Sequence, residues 1–152
     1  MAVTAYVYAS FFIGLANEEI NLTGGTDDVY CGLTTSTYTP NQDTHDYYND
    51  ITNELTTTGG YTAGGQQLTS DDFTITNNVA KWDSTDPSWT SASFTARRAF
   101  YYVNNAGASS TDNLISWVDF GADETVASGT FTIVQAAAGI LTITATDATG
   151  FP

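Results

Sequence analysis

Basic side chains are nearly absent from this sequence, which has three Lys and Arg residues against 17 Asp and Glu among 152 residues and a net charge of −14 at pH 7. Such a surface repels phosphate groups, so binding to nucleic acid or to an anionic membrane is not expected. The simplest consequence of the acidity is solubility. The more specific alternatives are a partner with a basic face and divalent cations held between acidic loops.

Cysteine and histidine occur once each, as Cys31 and His45. A single cysteine excludes an intrachain disulfide, and one residue of each type cannot supply the usual ligand set of a zinc site. Cys31 lies in an apolar, strand-like run and is expected to be a small buried hydrophobe, not a nucleophile. A Ser–His–Asp triad would have to use His45, which lies in a polar turn and is expected at the surface.

Long hydrophobic runs are also missing. Residues 5–16 are the most apolar stretch, but it is too short for a transmembrane helix and follows no Lys or Arg of the kind that opens a signal peptide. We expect residues 1–26 to form an N-terminal arm, or a first element, that packs on the domain or on a partner. Residues 27–152 are expected to form a single β-rich domain.

Threonine and aromatic residues are abundant, with aromatics at 13% of the chain. They favour half-buried strands, whereas the Glu, Lys and Arg that exposed helices use are few. About seven to nine short strands, with turn signals roughly every ten residues, are typical of a sandwich or barrel. The predicted fold is therefore all-β, an antiparallel β-sandwich or jelly-roll-like barrel with one short helical segment.

The strongest local signal is a β-hairpin over residues 73–82. Apolar and polar residues alternate on both sides of Asn77-Asn78, and asparagine tolerates the positive φ angles that tight hairpin turns require. This register predicts two cross-strand pairs, Ile75 with Ala80 and Phe73 with Trp82.

Other elements are predicted less sharply. Residues 104–112 should form a mobile loop, and Gly121-Ala122-Asp123 should separate two strands. The helical segment is placed at residues 43–55, where apolar residues recur at helical spacing and four acids would form a stripe. Further strands are predicted at residues 28–36, 66–69, 94–103, 114–120, 130–135 and 140–145.

Acidic pairs are the remaining candidates for chemistry, since paired carboxylates serve glycoside hydrolysis. Acids occur in every loop of this chain, however, so such pairs are expected by chance, and the helical stripe of Asp43, Asp46, Asp50 and Glu54 lacks the order of a calcium loop. We assign no catalytic, cofactor-binding or metal-binding residue and do not expect an enzyme. The pairs considered are Asp27/Asp28, Asp71/Asp72 and Asp123/Glu124.

Arg97-Arg98 is the one basic pair in the sequence, and it lies inside a predicted strand. Alternation should send the two guanidinium groups to opposite faces. The simpler interpretation is an ion pair with a nearby Asp. The functional interpretation is a contact between subunits, because arginine is favoured at the centres of interfaces.

An ordered succession of short segments runs along the chain, at residues 33–46, 50–54, 60–65, 94–97, 117–121 and 139–142. Over about residues 28–145 this succession resembles a group of small virion structural proteins from tailed bacteriophages. Two features depart from that group: the N-terminal arm is more apolar, and Arg98 stands where an aromatic or aliphatic residue is usual. Both raise the expectation of a contact made by the arm or by that strand.

The resemblance implies a structural part of a virion with no catalytic residues. The expected role is a capsid decoration (cement) protein on the outer surface of the head, made in the cytoplasm of the bacterial host. Its expected partners are the major capsid protein and copies of itself in a homo-oligomer such as a trimer, with no nucleic acid and no membrane. The alternative is a tail- or fibre-associated β-domain whose exposed aromatic rings stack on host surface glycans.

Overall fold

The computed structural model describes residues 2–22, 28–70 and 72–146. Within these ranges the regular structure consists of eight strands, one α-helix and one 3-10 turn at Tyr48–Asp50. In chain order the elements are β1 (Thr4–Val7), α1 (Ala9–Ala16), β2 (Asp28–Thr34), β3 (Gln66–Gln67), β4 (Asp72–Thr76), β5 (Val79–Asp83), β6 (Ser88–Asn104), β7 (Leu114–Thr132) and β8 (Leu141–Thr144).

The strands form two antiparallel sheets, and this arrangement confirms the all-β prediction. The larger sheet has the order β1-β7-β6-β2-β3, and the smaller has the order β4-β5-β8. The main core lies between them, where the buried ring of Trp82 meets that of Tyr101 edge-to-face at a centroid distance of 6.4 Å. The architecture is sandwich-like, and the sheets do not close into the barrel that was the other predicted form.

The predicted hairpin is confirmed as β4 and β5. Asn77 and Asn78 have φ angles of 53° and 64°, which is the left-handed conformation that a two-residue hairpin turn needs. Along the shared face, burial rises from Ile75 at the tip, which is 74% exposed, to the fully buried Trp82. The pairs are those predicted, Ile75 with Ala80 and Phe73 with Trp82.

The two strands predicted on either side of Gly121 are one continuous strand, β7. Ala96 of β6 pairs with Glu124, and Arg98 pairs with Asp119, so residues 120–123 bulge opposite a single β6 residue. Gly121 takes a φ of 80° inside this bulge. The predicted break is therefore wrong, because a glycine with positive φ can bend a strand without ending it.

The helix α1 lies in the apolar N-terminal stretch. It turns Phe11 and Gly14 inward and leaves Phe12 and Ile13 at the surface. Gly14 admits Ile20 so closely that a Cβ at this position would lie 2.7 Å from the Ile20 Cδ1 atom. The N-terminal segment is thus folded back onto the domain through both β1 and α1.

Residues 43–55 form a loop with one 3-10 turn, so the prediction of a helical segment there is wrong. Apart from the bonds of that turn, backbone groups of the segment bond to distant parts of the chain. Tyr48 donates its N–H to Asp112 at 2.8 Å, and Leu55 donates its N–H to Leu33 at 2.9 Å. Such tertiary partners satisfy the groups that a helix would have paired internally.

This loop covers the outer face of the larger sheet with a second aromatic cluster. The ring of Tyr48 stacks on Tyr102 with centroids 4.6 Å apart, and Phe100 packs beside them. Gly32 provides the space for Phe100, because a Cβ at Gly32 would lie 2.2 Å from the ring. The larger sheet is therefore packed on both faces.

The remaining strand predictions are confirmed with shifts at their ends. The predicted loop at residues 104–112 joins β6 to β7, where the Asn105 side chain donates to the Thr111 carbonyl at 2.6 Å. The predicted strands at residues 28–36, 66–69, 94–103 and 140–145 correspond to β2, β3, β6 and β8.

Candidate interaction surface

Arg97 and Arg98 both form ion pairs with Asp119 at the β6–β7 bulge. The Arg97 Nε lies 2.7 Å from Oδ1, the Arg98 Nε lies 3.0 Å from Oδ2, and the Gly121 N–H donates to Oδ1 at 2.7 Å. The predicted ion pair with a nearby Asp is present, but the prediction of opposite faces is wrong, because the bulge interrupts the alternation. Burial disfavours the ionised carboxylate, yet the hydrogen bonds from Arg97 and Gly121 and the charge of Arg98 lower the pKa of Asp119.

His45 belongs to a hydrogen-bonded series of rings that ties the loop to the N-terminal segment. The backbone N–H of Asn41 points at its Nδ1, which is therefore an acceptor. Tyr38 donates its hydroxyl to the same nitrogen at 2.9 Å, and the hydroxyls of Tyr8 and Tyr38 lie 3.0 Å apart. The ring is half-buried, not the free surface side chain that was predicted, and its partners give it a structural role.

The acidic stripe predicted on a helix does not form, since two of its carboxylates turn inward to close the loop. Asp50 accepts two N–H groups of its own turn. Glu54 accepts the hydroxyls of Tyr48 and Tyr61 at 2.5 and 2.7 Å and the N–H of Gly64 at 2.7 Å. Burial, followed by the charge of Glu54, raises the pKa of Tyr61 well above its usual value.

The other candidates for chemistry are spread over the molecule. Cys31 is fully buried, as predicted, and burial raises the pKa of its thiol. Asp27 and Asp71, one member each of two acidic pairs, lie outside the described residues. In the part that the structure describes, no group of three or more His, Cys, Asp or Glu side chains could hold a metal ion.

The strand β1 presents an open edge at the end of the larger sheet. The Tyr8 N–H donates to the Ile115 carbonyl of β7, so by alternation Tyr6 and Thr4 also face β7. Ala5 and Val7 then direct their backbone groups outward, in what we call the β1 edge. Among the described residues no other strand pairs with this edge.

An apolar groove of about 460 Å³, here the β1 groove, runs beside this edge. Apolar side chains from β1 and β7 line the groove together with the segment before β8. Two of them, Val3 and Val134, are 64% and 78% exposed. Others are Ala5, Val118, Phe120 and Phe131.

The charges around this surface are one-sided. The first 16 residues contain no Asp, Glu, Lys, Arg or His, and Glu124, at the β6–β7 bulge, is an exposed acid in the groove lining. All three cationic side chains of the chain are already engaged, Lys81 with Asp83 at 2.9 Å and the two arginines with Asp119. Positive charge at this surface therefore has to come from a partner.

Sequence reasoning located part of this surface and missed the rest. The apolar stretch at residues 5–16 was recognised, but β1 was not assigned as a strand, although Thr4, Tyr6 and Val7 have high β-propensity. The groove itself left no signal, because its lining joins residue 3 to residues 118–140 across the sheet.

Comparisons with known proteins do not identify the chain: no family model matches, and neither the curated proteins nor the solved structures provide a significant match. In the described ranges, no helix combines the length and the hydropathy of a transmembrane span.

Proposed function

We propose that this chain is a structural component of a tailed-phage virion: a capsid decoration protein that binds the outer surface of the head and stabilises contacts between major-capsid subunits. The role is non-catalytic. The sequence resemblance over residues 28–145 supports it. The partners are the major capsid protein and copies of the chain itself in a small oligomer.

The observation that carries the proposal is the unequal distribution of charge and apolar surface. The N-terminal segment offers an uncharged strand that borders the apolar β1 groove and, on α1, the exposed side chains of Phe12 and Ile13. Of the 17 acids only Glu18 and Glu19 precede residue 27, and the described groove lining contains one acid, Glu124. A decoration protein needs this division, with a contact surface toward the shell and a solvated surface outward.

Electron cryomicroscopy of particles tests the location. Particles that carry the chain should show additional density on the outside of the head, and particles lacking its gene should lose that density. Adding the purified chain back to the deficient heads should restore it. Density on the tail with none on the head would contradict the proposal.

The second candidate, a tail or fibre domain that binds host glycans, is favoured by one feature of the outer face. The ring of Tyr6 stacks on Trp117 with centroids 4.5 Å apart, and Tyr6 is 40% exposed. Sugar rings stack on such aromatic surfaces. Binding to a glycan array that is lost in Tyr6→Ala, together with tail labelling, would support this role.

A further inference from the structure

We propose that the β1 edge is the docking site for an extended segment of the partner protein, which adds an antiparallel strand to the larger sheet. The segment places apolar side chains in the β1 groove and carries Lys or Arg at its ends. This deepens the proposed function and rests on it for the partner's identity, but not for the mode of binding.

The outward backbone groups of Ala5 and Val7 allow the β1 edge to pair with a further strand. Ala5 and Val7 point their N–H groups away from β7, and the Val7 carbonyl on that side accepts from the Gln42 side-chain amide at 2.8 Å, the one partner that the described part of the chain gives this edge. Open strand edges with unpaired backbone groups are templates for a further strand. The β1 edge therefore offers hydrogen bonds to an incoming strand without any change in the fold.

The groove supplies side-chain specificity. Ala5 lies in the groove lining and also directs its backbone outward. In an antiparallel pair, the residue opposite Ala5 bonds to it and puts its own side chain on the same face. Alternate apolar side chains of the incoming segment consequently enter the groove beside Val3 and Val118.

The charge distribution favours a basic segment over a second copy of this chain at the β1 edge. A second copy of this chain would bring together two molecules of net charge −14, and neither has a cationic side chain free of an internal partner. A segment flanked by Lys or Arg is instead attracted by the exposed carboxylate of Glu124 and by the overall field. The two occupants respond oppositely to salt, because screening weakens attraction to a basic segment and relieves repulsion between acidic copies.

A short labelled peptide tests the proposal by fluorescence anisotropy. The probe alternates valine and threonine and has a lysine at each end, and its matched control has glutamate at both ends. We expect the lysine peptide to bind with an affinity that falls several-fold as salt rises to about 0.5 M, and the glutamate peptide to bind at least about tenfold more weakly. Equal binding of the two peptides, or no binding of either, would overturn the proposal.

N-methylated peptides test the strand pairing itself. Valine nitrogens face the β1 edge when the valines enter the groove, so their methylation should weaken binding by about tenfold or more, whereas methylation of the threonine nitrogens should have little effect. In the chain, Ala5→Pro removes an outward N–H and leaves the bonds to β7, and Ala5→Ser keeps that N–H as the control. Insensitivity to the site of methylation would exclude a strand addition, whether or not Ala5→Pro folds.

Two further results separate this inference from the proposed function. If heads bind the folded Ala5→Pro variant as well as they bind Ala5→Ser, strand addition is wrong while the decoration role stands. If wild-type chain fails to bind heads but shows the peptide behaviour above, the decoration role fails and the docking site stands. Sedimentation velocity of the chain alone tests whether a second copy occupies the edge. A dimer whose population increases with salt and that Ala5→Pro abolishes would assign the edge to a second copy.

Discussion

Both arginines of the chain form ion pairs with Asp119. The variant Asp119→Asn measures how much these ion pairs contribute to stability. The carboxylate accepts from Arg97 and Gly121 through Oδ1 and pairs with Arg98 through Oδ2. An asparagine keeps an oxygen for the first two groups. Its amide nitrogen, however, would face the Arg98 Nε as one donor against another.

The size of the expected loss in stability follows from the burial of the three side chains. The side chains of Arg97, Arg98 and Asp119 are only 24%, 16% and 15% exposed, so solvent screens the ion pairs less than at an open surface. Removing one partner of such a cluster leaves half-buried charge uncompensated. We expect the free energy of unfolding to fall by about 2–3 kcal/mol, which corresponds to a decrease in Tm of roughly 5–10 °C.

Denaturant unfolding followed by tryptophan fluorescence measures this difference, and Asp123→Asn is the matched control. The Asp123 carboxylate is 51% exposed and lies 4.0 Å from the Arg97 Nη1, so its neutralisation should change stability by no more than about 0.5 kcal/mol. A loss below about 1 kcal/mol in Asp119→Asn, or equal losses in both variants, would refute the reasoning.

The pH dependence provides a second check with a defined sign. The folded-state pKa of Asp119 is lower than the ordinary value of 3.8, so its stabilisation is present above that value and is lost as the pH falls through the folded pKa. The stability difference between wild type and Asp119→Asn should therefore be constant near neutrality and shrink below about pH 4. A difference that widens in acid would contradict the ion pairing.

Three further predictions concern the packing of the larger sheet. Gly32→Ala places a Cβ against the buried ring of Phe100 and should lower the free energy of unfolding by about 1–3 kcal/mol in chemical denaturation; an unchanged midpoint would mean that the ring moves freely. Tyr61→Phe removes the acceptor for the Leu33 N–H at 3.0 Å and should cost about 1–3 kcal/mol, with faster amide exchange at Leu33 as the specific readout. Burial raises the pKa of Tyr38 to about 12, so its contribution to stability is complete below pH 10 and is lost between pH 10 and 12; a Tyr38→Phe variant should show a shallower decline of stability over that window.

Much of the β architecture was readable in the sequence because it depends on neighbours in the chain. The hairpin is the clearest case: the alternation around Asn77-Asn78 specifies both the turn and the register, and the observed pairs are those predicted. The burial of Cys31 follows similarly from its apolar surroundings. Local patterns of this kind require no knowledge of what lies across the sheet.

The errors occur where distant segments decide the conformation. Residues 43–55 have helical spacing, yet their backbone groups and aromatic rings find partners on β6 and in the loop before β7, so no helix forms. The strand break expected at Gly121 is a bulge instead, because β6 continues to pair with β7 on both sides of it. Tertiary pairing overrides local propensity in both cases.

The sequence by itself therefore determined the class of fold, the acidic surface and the presence of an apolar N-terminal stretch. Only the tertiary structure decided that this stretch begins with an edge strand, that two adjacent arginines share one carboxylate, and that a groove opens beside β1. The physical reason is the same for all three. Each depends on the pairing of β1 or β6 with β7, in which Thr4 and Arg98 both align with Asp119. No local sequence pattern specifies which distant strands pair.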